Sequence, residues 1–406
     1  MKFLVVGLNY SPEPTGSAPY SADYCETLAR GGHEVRMVCA APYYPHWRTF
    51  DGYRGLRWPR RLENGVLVWR CPIYVPSRAS GAARIAFYIS FFLSSFIPVL
   101  WSAMRMRPNV IVNMAPTLIS APSGLLAAKL CGARTQVHVQ DFEVEAGFAT
   151  DQLASGGRLA RWAMGFSNWA IRAHDFATSI SPAMVKRLVH IRASDTDCYE
   201  LRNWADIANI VPQENSKFRK LWDVHTRHVA LYSGSIARKQ GLDMLIETAR
   251  LLRDRQDLTF VICGNGPFRA QLIEMASGLP NIQFHDLQPR EDLGELLNLA
   301  TIHLLPQKRD AADLVLPSKL TNMLASGRPV IAGADAGTGL ADEIADCGIA
   351  VEPENSDAMA HALVSLLDDS KNYARLALKA RQRAESVWAR QPILDRYLAW
   401  IGHRLA

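Results

Sequence analysis

A short apolar run followed by a helical stretch recurs along the first half of this chain, and then the same rhythm starts again. The strand-like runs of the first half are Lys2–Leu8, His33–Ala40, Gly65–Pro72, Asn109–Met114, Arg134–Asp141, Asp175–Ser181 and Cys198–Asn203. Those of the second are His228–Gly234, Leu258–Gly264, Ile282–Asp286, Thr301–Gln307, Arg328–Gly333 and Gly348–Pro353. Strands that are apolar throughout and alternate with helices predict parallel sheets covered on both faces. The restart predicts two of them, and 406 residues is a natural length for two domains. The expected units are 1–205 and 206–385, with Pro212–Lys220 as the best linker stretch. A C-terminal helix over 386–406 carries Ile393, Leu394, Tyr397, Leu398 and Ile401 on one stripe and is expected to pack back on the N-terminal domain.

Hydrophobic residues make up 49% and charged residues 21%, so each half can bury a core and a disordered chain is excluded. The seven cysteines are odd in number and contain no Cys-x-x-Cys; several sit in apolar runs such as Val38-Cys39-Ala40. That is the pattern of free thiols in a reducing compartment, so a cytoplasmic location is expected. The opening apolar stretch, Met1–Gly7, is too short for a signal peptide and reads as a first strand.

The formal charge of +6 is uneven. Residues 48–107 hold ten arginines against two acids, Asp51 and Glu63, which fits either an anionic partner or a solvated basic face. Inside that region Ile85–Trp101 runs 17 residues without a charge, between Arg84 and Arg105 and interrupted by Pro98. Three readings stand: a buried core helix, a membrane span of minimal length, or a monotopic insertion with arginines on anionic headgroups. For the last, Phe91, Phe92 and Phe96 are the membrane-contact candidates, at the inner face of the cytoplasmic membrane.

In open α/β sheets, ligands collect where strands end and helices begin. Four such loops stand out. Gly7–Gly16 (GLNYSPEPTG) is a shaped loop without the G-x-G-x-x-G spacing of nicotinamide binding. Gly234–Gly241 sets Ser235, Arg238 and Lys239 after a glycine turn, a pattern suited to a diphosphate. Gly264-Asn265-Gly266-Pro267 permits close backbone approach. Asp310–Gly327 places Pro317 at the first helical turn, with Ser318, Lys319 and Asn322 following and Asp313 upstream as an acceptor for sugar hydroxyls. For catalysis, His138 and Asp141 close the strand that ends at Asp141; a hydrogen-bonded structural histidine is the plainer reading of His138. Asp195-Thr196-Asp197 spells D-x-D but precedes a strand in a polar turn, and no His/Cys/Asp cluster has zinc spacing, so no metal is expected.

Together these loops resemble family 4 glycosyltransferases of the GT-B architecture, over nearly the whole chain. The likeness is carried by Asn9–Gly16, Pro42–Pro45 (PYYP), Gln140–Val144, Tyr232–Leu242, Gly264–Pro267 and Ala311–Asn322, and it leans to the colanic-acid and exopolysaccharide fucosyltransferase type. It implies two doubly wound Rossmann-like domains facing across a cleft, with the acceptor bound by the first and the donor by the second. It implies a retaining, metal-independent hexosyl transfer from a GDP- or UDP-linked sugar to a lipid-pyrophosphate-linked saccharide. Arg238, Lys239 and the helix near Ser318 would hold the diphosphate, with Gly16 touching the leaving phosphate. Many members carry two glutamates eight positions apart; here Leu314 and Asn322 stand in those places. That departure and the apolar run keep open a degenerate subunit that binds a partner or membrane, and the same architecture also admits a UDP-sugar epimerase.

Overall fold

In the computed structural model the apolar runs become inner strands with both faces covered. It describes residues 1–14, 16–76, 81–115, 118–142, 158–309 and 317–405, without the side chains of 81, 82, 158–160 and 239. Asp313, expected in the donor site, lies outside these residues, as do Glu143 and Val144. The chain divides into one unit of Met1–Leu201 with Ala399–Ala406, and another of Arg202–Leu398. The polar stretch Pro212–Lys220 therefore lies inside the second unit instead of linking the two, and part of it winds into the short helix Lys217–Leu221.

In the first unit, β1 (Lys2–Gly7), β2 (Glu34–Ala40), β3 (Arg60–Glu63), β4 (Val66–Cys71), β5 (Val110–Ala115), β6 (Arg134–Val139), β7 (Phe176–Ser179) and β8 (Cys198–Glu200) form one sheet. Its order is β3-β4-β2-β1-β5-β6-β7-β8, parallel except for β3 against β4. β5 is buried at every position. β3, with sequence RRLE, carries no apolar pattern; pairing to β4 alone makes it a strand. The strand order reverses between β1 and β5, so the crevice at their carboxyl ends receives the loop that ends at Gly16.

The second unit holds β9 (His228–Ser233), β10 (Leu258–Cys263), β11 (Ile282–His285), β12 (Ile302–Leu305), β13 (Val330–Gly333) and β14 (Gly348–Val351), all parallel, in the order β11-β10-β9-β12-β13-β14. Here the reversal falls between β9 and β12, which sets the loops after those two strands side by side. Leu245, Phe260, Leu304, Leu363 and Leu366 belong to the core on one side of this sheet.

The last helix runs Arg390–Leu405, and its final residues group with the first unit. There Trp400 stacks on Tyr199 at 4.8 Å and meets the edge of Phe176 at 5.7 Å.

The apolar run of the first unit lies within one helix, Gly81–Met106, that continues through Pro98. A proline removes one N–H from the helical ladder and leaves the carbonyl four residues earlier without its partner. That carbonyl belongs to Ser94, and the indole N–H of Trp58 donates to it at 2.9 Å. A tryptophan from the basic segment thus repairs the defect. Phe91 is fully buried in the core with Phe87 and Val99, so it cannot be a membrane contact. Phe92 and Phe96 are half-buried and pack edge to face at 5.7 Å. The residues on the outer face are Ile85, Ile89, Leu93 and Ile97, spaced four apart and 39%, 41%, 65% and 72% exposed.

Candidate active site

The second-unit loops expected to hold the donor are assembled backbone to backbone. Gly234 N donates to Cys263 O at 2.9 Å, and Ile236 N donates to Asn265 O at 2.9 Å. The approach is so close that a Cβ on Gly264 would lie 1.8 Å from Gly234 O, and one on Gly266 would lie 2.2 Å from Ile236 O. Only glycine fits at these two places, because any side chain would drive the loops apart. The spacing G-x-G is thus a packing requirement that brings the second and third loops into one surface.

The fourth loop reaches the same surface through Lys319. Its ammonium lies where a side chain on Gly234 would begin, 3.2 Å from the position of that absent Cβ. Nζ donates to Tyr232 Oη at 2.8 Å and sits 4.1 Å from the centre of the Tyr232 ring. Tyr232 in turn donates to Ser235 O at 2.6 Å. Among the described residues no carboxylate pairs with Lys319, and burial pushes its ammonium down to about 7. A half-buried cation held by a phenol and a ring face, with no described acid beside it, at a strand-order reversal, is a place suited to an anion.

The helix that carries this lysine is Lys319–Ala325, so Pro317 and Ser318 precede it; Pro317 does not sit in its first turn. Ser318 is exposed at the N-cap with no side-chain cap bond. Asn322 is engaged within the protein: its Oδ1 accepts from Asp206 N at 3.0 Å, tying down the start of the second unit. Arg238 is exposed, donates to Gln271 Oε1 at 2.6 Å and lies 4.9 Å over the Phe268 ring. The Asn265 side chain is exposed; with its amide turned to face the nearby acceptors, its nitrogen donates to Gly264 O at 2.9 Å and to Asp286 Oδ1 at 3.3 Å. Lys239 occupies the middle of the single turn Arg238–Gln240.

In the first unit the loop ending at Gly16 is held by Glu13. This buried carboxylate accepts from Tyr43 N at 2.8 Å, Tyr44 N at 2.9 Å and Asn9 Nδ2 at 2.8 Å. The NYSPE and PYYP stretches, 30 residues apart, are thereby one structure, with the Tyr44 ring 3.5 Å from where a Cβ on Gly16 would lie. Arg70 adds a bond to Ser11 O at 2.6 Å and pairs with Glu63. Gly16 itself is exposed with φ +72°.

His138 and Asp141 separate. His138 lies within β6, buried, with Nδ1 2.9 Å from Thr178 Oγ1, which also accepts from Gln136 at 3.0 Å. Burial lowers its pKa to about 4, so it is neutral. Asp141 lies two residues past the strand end and is half-buried, the more accessible of the two. Sequence reasoning did not foresee Tyr232 or Glu13 as site builders, because neither the ring beneath Lys319 nor the staple to Tyr43 follows from spacing. Among the described residues no group of three or more His, Cys, Asp or Glu could hold a metal ion.

Residues 15–202 match the family described as Glycosyl transferase 4-like domain, and residues 213–383 match Glycosyl transferases group 1. Over 98% of its length the chain is 38% identical to a protein of Escherichia coli (strain K12) named for colanic acid biosynthesis, the glycosyl transferase WcaI, 99% of which is covered. The chain belongs to the GT-B glycosyltransferases. Among solved structures, this glycosyltransferase superposes on sucrose-phosphate synthase of Thermosynechococcus elongatus with a TM-score of 0.76 at 14% identity, covering 100% and 99% of the two chains. It also superposes on Anabaena HepE in complex with UDP and glucose, with a TM-score of 0.70 at 16% identity over 99% and 100%. At those identities the two superpositions show the fold. The glycosyltransferase fold thus spans both family matches, and its two sheets account for them.

Proposed function

We propose that this glycosyltransferase transfers a hexose, with retention, from a GDP- or UDP-linked sugar to a lipid-pyrophosphate-linked saccharide in surface polysaccharide synthesis. The observation that carries the reading is Lys319, a half-buried ammonium against Gly234 with no described acid against it. It stands against Tyr232 of β9 at the strand-order reversal, and the loop that follows β9 carries the exposed Arg238 and the turn that holds Lys239. Fixed cations and backbone N–H groups there stabilise the diphosphate as it leaves, so the reaction proceeds without bound metal. The 38% identity to a relative named for colanic acid biosynthesis supports the polymer class, and the UDP complex of HepE supports the donor class.

Lipid-linked acceptors are presented at a membrane. Ile85, Ile89, Leu93 and Ile97 form an exposed apolar ridge, and only 33% of the most apolar stretch of their helix is buried. Arg57, Arg60, Arg61, Arg84 and Arg105 belong to the same arginine-rich part of the chain. A ridge of this kind suits shallow contact with an anionic surface at the inner face of the cytoplasmic membrane.

The test is a screen of GDP- and UDP-sugars against a lipid-pyrophosphate saccharide, with product mass and anomeric configuration read out. Transfer with retention is expected, reduced drastically in Lys239→Ala with the fold intact. Turnover of Lys239→Ala near the wild-type rate would count against the assignment. Incubation with donor alone separates the epimerase alternative, since only an epimerase alters the sugar without acceptor.

A further inference from the structure

At the opposite end of the second sheet's strands a cleft of 290 Å³ is lined by residues that include Arg219, Arg227, His228, Thr301, Arg328 and Tyr373. His228 opens β9, Thr301 precedes β12 and Arg328 stands two residues before β13, so the cleft lies at the amino ends of these strands. The donor loops leave from their carboxyl ends. A six-residue strand separates the two places by roughly 20 Å, and they are distinct sites.

The charges in this cleft are arranged unlike those of most arginines around it. Arg250, Arg255, Arg269, Arg309, Arg381 and Arg383 each face a carboxylate. Arg219, Arg227 and Arg328 form no ion pair among the described residues. Instead, Arg219 and Arg328 repel one another, and His228 is opposed by Arg227, Arg255 and Arg219, with Asp257 at 3.8 Å as its acidic neighbour. The guanidiniums are held in place by main-chain carbonyls: Arg219 donates to Thr226 O at 2.7 Å and Arg227 O at 3.1 Å, and Arg328 donates to Gln213 O at 2.6 Å. Arg328 Nε is buried without a partner. Glu214 is the acid of the lining, and it is exposed. Fixing like charges together costs free energy that a bound anion would recover.

We propose that this cleft is a second anion site, taking the phosphate of a small phosphorylated molecule. Its volume is at the small end for ligand pockets, which suits inorganic phosphate or a sugar phosphate better than a nucleotide sugar. Calorimetry on the full chain, at fixed ionic strength and with saturating UDP to occupy the donor loops, tests this with inorganic phosphate and with ribose 5-phosphate. Saturable binding of at least one probe is expected, weakened about tenfold or more in Arg328→Gln and in Arg227→Gln, with UDP affinity unchanged within about twofold. Arg227 is exposed, so its variant keeps the comparison decisive if Arg328→Gln fails to fold. Absence of binding by both probes, or wild-type binding in Arg227→Gln, overturns the proposal.

Discussion

Lys319 is the residue on which the proposed donor site turns. Its ammonium titrates near 7 because burial disfavours the charge. A bound diphosphate favours the charged form, so binding takes up a proton above that pH. The affinity for a nucleotide sugar, whose own phosphates do not titrate there, is expected to fall as pH rises beyond 7, by up to about tenfold per unit. In Lys319→Met the affinity should be lower and flat across the same range; a flat wild-type profile by calorimetry would sink the idea. Stability runs the other way. Between about 7 and 10.5 the unfolded chain holds a proton that the folded chain lacks, so this residue makes the fold more stable as pH rises through that window. Gly264 gives a second expectation at this scale. Gly264→Ala places a methyl 1.8 Å from Gly234 O and should cost roughly 1–3 kcal/mol in chemical unfolding, with loss of UDP binding. A midpoint unchanged from wild type would show that the two loops are not packed as described. Both residues were legible as loop members in the sequence. Their contacts were not, since Lys319 meets Tyr232 across 87 positions.

Elements were legible where local pattern dictates them. Runs such as VIVNMA and LTFVIC are buried on both faces and became strands within a residue or two of the expected ends. β3 was not legible, because Arg60–Glu63 is a strand only through its partner. Nor was the continuity of Gly81–Met106 through Pro98, which depends on a donor 36 residues away. That repair can be measured by a double-mutant cycle. Trp58→Phe removes the indole N–H and should cost about 0.5–1.5 kcal/mol. In a Pro98→Ala background the restored Ala N–H can bond Ser94 O, so the same change should cost markedly less. Equal costs in the two backgrounds would mean that Trp58 acts through packing alone.

At the scale of the whole molecule, the unresolved choice in the sequence was whether the apolar run belongs to a core or to a surface, and the helix does both. Its inner face supplies Phe87, Phe91 and Val99 to the core, while Ile85, Ile89, Leu93 and Ile97 face outward. The two faces therefore predict opposite phenotypes. Leu93→Ser with Ile97→Ser removes exposed apolar area and should leave the unfolding midpoint within a degree or so, since surface changes rarely exceed about 0.5 kcal/mol. The same pair should release the enzyme from anionic vesicles, because each buried methylene contributes about 0.8 kcal/mol to such binding. Phe91→Ser should instead lower the midpoint by several degrees, in keeping with about 3–5 kcal/mol for loss of a core phenylalanine. Sedimentation with phosphatidylglycerol vesicles at low and high salt reads the first effect, and thermal unfolding reads the second. Undiminished vesicle binding by the Leu93/Ile97 variant would leave the ridge without a membrane role and return the arginine-rich segment to a solvated face.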